Sequence, residues 1–282
     1  MLTKNKLKNS LFRSINMYRQ HFGLKHAPFG KDYLELWQTK SHVELERQFQ
    51  WLLQSPGLGL LTAEPGLGKT AALRRLTSSL NPHQYLVKYI ADTSFGRLDF
   101  YRQLAFILNI QVSHNRSKLW RDLKEHITNL AINKNILLVL VIDEAQNLPP
   151  EFLRDLPSFL NFVFDSKDYM TVWLTGHADL ARSIDRSNNT ALASRIRARC
   201  QLQPIIEREP FKEFLLHGLA QAGATSVLLS DSAIEILRMA SKGNPRLLHQ
   251  LIVASLQLAT DKKLIHLPDD IIKEAVEIFK QI

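Results

Sequence analysis

Leu58-Gly59-Leu60-Leu61, then Ala63-Glu64-Pro65-Gly66-Leu67-Gly68-Lys69-Thr70, then Ala71-Ala72-Leu73-Arg74-Arg75-Leu76 is the stretch that decides this fold. The first part is an apolar run that reads as a buried strand, and the last reads as a helix. Between them lies a glycine-bearing loop ending in Gly-Lys-Thr. This order makes a phosphate cradle: loop N–H groups face the phosphates, Lys69 neutralises the β and γ charges, and Thr70 offers a hydroxyl to Mg²⁺. The helix start adds unpaired donors and the positive end of its dipole. Glu64, Pro65, Gly66, Leu67, Gly68, Lys69, Thr70 and Ala71 are the residues expected around the phosphates. Ala63 stands where the pattern opens with Gly. Ala is the smallest replacement but excludes most positive-φ conformations; the loop is expected to survive the exchange.

A second stretch carries the matching chemistry. Leu137-Leu138-Val139-Leu140-Val141-Ile142-Asp143-Glu144 is an apolar strand ending in two carboxylates. At such a place Asp143 holds the Mg²⁺ shell and Glu144 polarises the attacking water as general base. Two acids at the mouth of a buried strand are costly without a cation or donors to satisfy them. The plainer reading is that Asp143 caps the next helix.

The 282 residues suit one large domain, or a core with an appendage. Hydrophobic content of 45% and charged content of 22% allow a sizeable core. No apolar run approaches a membrane span, no secretory signal is visible at the N-terminus, and the single cysteine, Cys200, rules out an internal disulfide. A cytoplasmic protein with no membrane partner is expected. The net charge of +9 favours polyanions. Seven Lys and Arg and no acid occupy Met1 to Lys31, a basic arm for nucleic acid or a partner protein, or simply a solvated tail.

Tyr18 to Phe29 is aromatic-rich and reads as an ordered, non-helical strap. Ser41-His42-Val43-Glu44 has the spacing of a helix N-cap box. Strands are expected at Tyr85–Ile90, Ile136–Ile142, Met170–Thr175 and Cys200–Pro204. Helices are expected at Leu98–Leu108, Lys118–Ile132 and Phe152–Phe164, the last kinked or broken at Pro157. This alternation argues a parallel α/β core. From Glu209 onward four helical segments follow: Glu209–Gln221, Ser232–Ser241, Pro245–Ala259 and Pro268–Lys280. The division is a basic arm and strap over 1–38, an α/β core over 39–205 and a small all-helical C-terminal subdomain over 206–282.

The motif order resembles the AAA+ ATPases, P-loop NTPases with a parallel-sheet core and a helical lid. Within them it looks like the ExeA-like group that also holds the TniB and TnsC transposition ATPases. The residues are Phe22-Gly23-Leu24 with Pro28-Phe29, Asp143-Glu144-Ala145-Gln146-Asn147-Leu148, Leu174-Thr175-Gly176-His177-Ala178-Asp179-Leu180, Ser194-Arg195-Ile196 and Gly243-Asn244-Pro245-Arg246. The resemblance implies ATP and Mg²⁺ as cofactors. It makes Arg246 the sensor-two arginine, set by the lid against the γ-phosphate. Thr175 or His177 matches sensor one, where the group more often has Asn or Gln. Arg195 is taken as the trans-acting arginine finger, with Arg197 and Arg199 close by; on a helix, Arg195 and Arg199 would share a face. A trans finger implies a homo-oligomer.

The resemblance further implies a ring or filament on duplex DNA that assists a transposase. Two polar, basic loops suit phosphate contacts without base reading: 93–97, with Arg97, and 113–118, with Asn115, Arg116 and Lys118. The alternative is an ATPase that energises assembly of a secretion apparatus without binding DNA. Such proteins are expected to continue into a membrane span and a peptidoglycan-binding region, and neither is visible in this sequence.

Overall fold

Leu137–Ile142 (β3) is apolar at every position and its last five residues are buried. A strand covered on both faces needs no polar alternation, as in the middle of a parallel sheet. The computed structural model describes residues 17–30, 36–91, 96–224 and 227–280. In it β3 joins β1 (Leu58–Thr62), β2 (Tyr85–Ile90), β4 (Met170–Gly176) and β5 (Ile196–Gln201) in one five-stranded sheet of order β2-β3-β4-β1-β5. Every neighbouring pair is parallel. β1 and β4 are buried throughout. Gly59 is required in β1 by close approach: a Cβ there would sit 2.7 Å from the indole of Trp173 on β4. The edge strand β5 alternates instead, with Ala198 and Cys200 buried and Arg197 and Arg199 exposed.

The sheet belongs to a compact unit made of Gln38–Pro65 and Lys69–Gln203. Its helices are α2 (Lys40–Gln54), α3 (Lys69–Ser78), α4 (Arg97–Ile107), α5 (Arg116–Asn133), α6 (Pro150–Leu160), α7 (Ala178–Ile184) and α8 (Thr190–Ala193). Phe100, Tyr101, Phe152 and Phe159 form an aromatic cluster in its core, with ring centroids 4.2–6.0 Å apart.

A second unit comprises the described residues of Met1–Trp37 and Pro204–Ile282, together with Gly66–Gly68. Its helices are α1 (residues 17–22), α9 (Arg208–Gln221), α10 (Asp231–Ser241), α11 (Pro245–Asp261) and α12 (Asp269–Lys280). Tyr18 and Leu24 enter its core, Lys25 N–H donates to the Ala222 carbonyl (2.8 Å), and Phe29 packs on Phe214 (4.9 Å). Among the described residues no helix is long and apolar enough to cross a membrane.

Several sequence expectations are corrected. The aromatic strap is helical over 17–22, because Tyr18 is buried by the helices it packs on. Helix α2 begins two residues early: Thr39 is the cap, its hydroxyl 2.8 Å and its N–H 3.4 Å from the His42 ring. Helix α6 runs through Pro157 and stops at Leu160, short of Phe164. The last strand starts at Ile196 rather than Cys200 and ends at Gln201, its arginines masking an edge strand. Arg199 is therefore a strand residue and shares no helical face with Arg195.

Candidate functional site

Strand register gathers the chemistry. Thr62 of β1 pairs with Gly176 of β4, and Ile142 of β3 pairs with Leu174 of β4. The residues after these positions therefore leave the sheet along one edge, its carboxyl end, where open α/β sheets hold their ligands. Asp143, Glu144, Thr175 and His177 meet there with Lys69 and Thr70 from the first turn of α3.

Asp143 is the centre of this group, and only 5% of it is exposed. Its Oδ2 accepts from the Thr70 hydroxyl (2.6 Å) and the Tyr89 hydroxyl (2.8 Å). Its Oδ1 accepts from the Thr175 hydroxyl and the Glu144 N–H (3.0 Å). Burial pushes the carboxyl pKa up, but these hydrogen bonds outweigh it and hold the group below its ordinary value. All four donors are neutral, so the carboxylate keeps its full negative charge. Burial and the neighbouring Asp143 raise the Tyr89 pKa, so this phenol stays a donor.

Lys69 is buried, and its ammonium donates to the Ala63 carbonyl (3.0 Å) and lies 3.5 Å from His177 Nδ1. On its other side the same imidazole sets Nε2 3.4 Å from Glu144 Oε2. Gln146 donates to that Glu144 oxygen (2.6 Å) and accepts from the His177 N–H (3.3 Å). Glu144 itself is in the left-handed region (φ 49°, ψ 39°), which turns its half-exposed carboxylate away from the strand line. It is the N-cap position of the turn Ala145–Asn147, so Asp143 is not a helix cap.

Ala63 is absent from the left-handed residues and is buried, which explains how Ala replaces Gly there. Glu64, Pro65 and Thr70 are exposed, Ala71 is half-buried and Leu67 turns its side chain inward. Gly66 and Gly68 both have φ of +89°. Within the second unit, a Cβ on Gly66 would come 2.6 Å from Asn244 Oδ1 and 2.7 Å from Arg246 Cβ. Gly66→Ala is thus opposed by both conformation and space, whereas Gly68→Ala meets no neighbour. We expect Gly66→Ala to weaken nucleotide binding by about tenfold or more, a larger loss than Gly68→Ala, in side-by-side titrations; equal losses would show that conformation alone matters.

The remaining expected residues lie elsewhere. Arg246 is exposed on the first turn of α11, which Asn244 caps through the N–H groups of Arg246 (3.0 Å) and Leu247 (3.4 Å). Arg195 precedes β5, whose first residue pairs with Leu58 at the opposite, amino end of the sheet. Arg97 begins α4 after Gly96, and residues 92–95 of that expected loop lie outside the described residues. The 113–118 loop is shorter than expected. Asn115 caps α5 by accepting from Lys118 N–H (3.1 Å), and Arg116 pairs with Asp155 (2.8 Å) over the Trp120 ring. Lys118 is exposed.

A family profile described as an AAA domain matches residues 52–184, the segment holding Lys69, Asp143, Glu144 and Thr175. The chain carries an AAA domain. Solved structures share the fold over more of the chain. Cdc6p from Pyrobaculum aerophilum superposes with a TM-score of 0.69 at 18% identity, over 88% of this chain and 69% of that one. The ORC1 protein of Aeropyrum pernix, solved in complex with DNA, gives 0.66 at 15% identity, over 90% and 69%. In sequence, General secretion pathway protein A of Aeromonas hydrophila is 32% identical over 242 residues, which is 83% of this chain. The match spans 43% of that relative, so this chain covers under half its length.

The AAA site fits Mg²⁺. This cation binds through one or two protein oxygens plus substrate phosphates and water, not in an all-protein cage. A fixed, ionised Asp143 beside the Thr70 hydroxyl is that donor set.

Proposed function

We propose that this AAA domain is a Mg²⁺-dependent ATPase that oligomerises with ATP on duplex DNA and assists a transposase in target selection and strand transfer. The observation that carries the ATPase is the four-donor clamp on Asp143, next to Lys69 and Glu144. Lys69 offsets the β and γ charges of ATP. Mg²⁺, held by Thr70 and Asp143, would neutralise phosphate oxygens further. Glu144 accepts the proton of the attacking water, and its carboxylate is aimed by Gln146 and His177. Thr175 fixes Asp143 and His177 bridges Lys69 to Glu144, so the two share the work expected of sensor one. Arg246 adds a cation for the terminal phosphate. Arg195 serves the neighbouring copy, since it sits at the far end of the sheet from its own phosphate loop.

DNA binding is supported by the net charge of +9 and the likeness to a fold that elsewhere holds DNA. Arg97 and Lys118 remain the contacts proposed for phosphates; Asn115 and Arg116 are exposed but engaged with Lys118 N–H and Asp155, and contribute less. The test is duplex binding with and without a non-hydrolysable ATP analogue at two salt concentrations. Several phosphate contacts predict a fall of about tenfold or more between 50 and 200 mM salt, because counterions are released on binding. A second reading is favoured by the 32% identical secretion-pathway relative: an ATPase that drives assembly of a protein complex. ATP turnover with no salt-sensitive DNA binding selects it.

A further inference from the structure

Residues 161–168 form a tight hairpin between α6 and β4, closed by an antiparallel bridge between Phe162 and Lys167. Its base is firmly built. Phe162 is buried and packs on Tyr169 (5.3 Å). Lys124 donates to the Asn161 carbonyl and lies 4.7 Å over the Phe162 ring. The tip is the opposite in character. Val163, Phe164 and Asp165 have φ of 48°, 55° and 62°, three successive L residues in the left-handed region. A β-branched residue there is an outlier, and such strain persists only where surroundings impose it. The hairpin's own hydrogen bonds impose it: Asp165 N–H to Asn161 Oδ1 (2.9 Å) and Ser166 N–H to the Val163 carbonyl (3.1 Å).

This strained backbone has two effects. It turns Phe164 wholly into solvent with Val163 beside it. It also delivers the Asp165 carboxylate to Arg195, 2.7 Å away. Arg195 cannot use its charge on the phosphates of its own chain. It stands level with the start of β1, five residues before the phosphate loop, or about 16 Å along the strand. A guanidinium serving a phosphate from this place serves a second copy, and the exposed Phe164 is the residue next to the Asp165 that pairs with it.

Building on the trans-finger reading, we propose that hairpin 161–168 is a latch that senses the neighbouring copy of this chain. Asp165 holds Arg195 while the subunit is alone. Phe164 docks on the incoming subunit, and that contact draws Asp165 away, freeing Arg195 for the neighbour's ATP. Asp165 is a positioning residue; it touches no reacting atom.

The experiment is ATP turnover of the full-length chain against protein concentration, with nucleotide affinity measured alongside. Asp165→Ala raises turnover at low concentration by about two- to fivefold, the range set by a partly exposed ion pair, with affinity for ATP unchanged. Phe164→Ala raises the protein concentration for half-maximal turnover by about tenfold, as loss of one buried aromatic contact demands. Both side chains are on the surface, and unchanged melting temperatures confirm folding. Wild-type behaviour of both variants, with turnover still abolished in Arg195→Ala, overturns the latch and leaves the finger standing. Turnover retained in Arg195→Ala removes the reading beneath it.

Discussion

Lys69→Ala lowers ATP affinity by roughly 30-fold to several thousand-fold, equivalent to about 2–5 kcal/mol for removing one partner of a buried charge contact. The ammonium is buried, it is fixed by the Ala63 carbonyl, and it lies beside the imidazole that leads to Glu144. Its loss removes the cation that the cradle places among its N–H donors. Equilibrium titration with a fluorescent ATP analogue reads the change. A melting curve in the absence of nucleotide separates lost affinity from lost fold. Affinity within a factor of about two of wild type would sink the phosphate-cradle assignment.

Glu144→Gln keeps ATP affinity and lowers turnover by about 10²- to 10⁴-fold, the usual contribution of a positioned general base. The substitution preserves shape and removes only the ability to take a proton. Asp143 keeps its four donors, because one of them is the backbone N–H of residue 144. Mixing provides a further check. Arg195→Ala subunits supply Glu144, and Glu144→Gln subunits supply Arg195, so mixed assemblies recover turnover at their joint sites. Absence of recovery would place the finger elsewhere or in cis. Undiminished turnover in Glu144→Gln alone would assign the base to another residue.

The parts of this site that could be read in the sequence are those written in consecutive residues. Lys69 and Thr70 follow the loop that orients them, and Asp143 and Glu144 end the strand that aims them. The helical C-terminal part was legible for the same reason, since each helix carries its own apolar spacing. Tyr89 was invisible: its hydroxyl reaches Asp143 only because β2 pairs with β3, so that Ile90 lies beside Ile142. Gln146 lies within the Asp-Glu-Ala-Gln-Asn-Leu motif, but its grip on Glu144 depends on the left-handed turn at Glu144. Thr175 and His177 looked like alternatives for one role, and the register of β4 gives each a separate partner. Strand β5 begins four residues earlier than its apolar pattern suggests, because its exposed arginines look like loop chemistry; their carboxylate partners, Asp168 and Asp185, come from preceding segments of the chain.

The sheet has a direction, and it has a consequence for symmetry. The phosphate loop leaves one end of β1, while Arg195 stands at the other end, beside β5. A surface that donates at one end and receives at the other is not self-complementary, so a pair joined this way has no two-fold axis. It is joined head to tail, and the same contact repeats until it closes into a ring or continues as a helix. In an open helix one terminal subunit always has a nucleotide that no finger reaches. If Arg195 is the finger, that subunit would not turn over its ATP, and an open assembly joined this way would have two unlike ends.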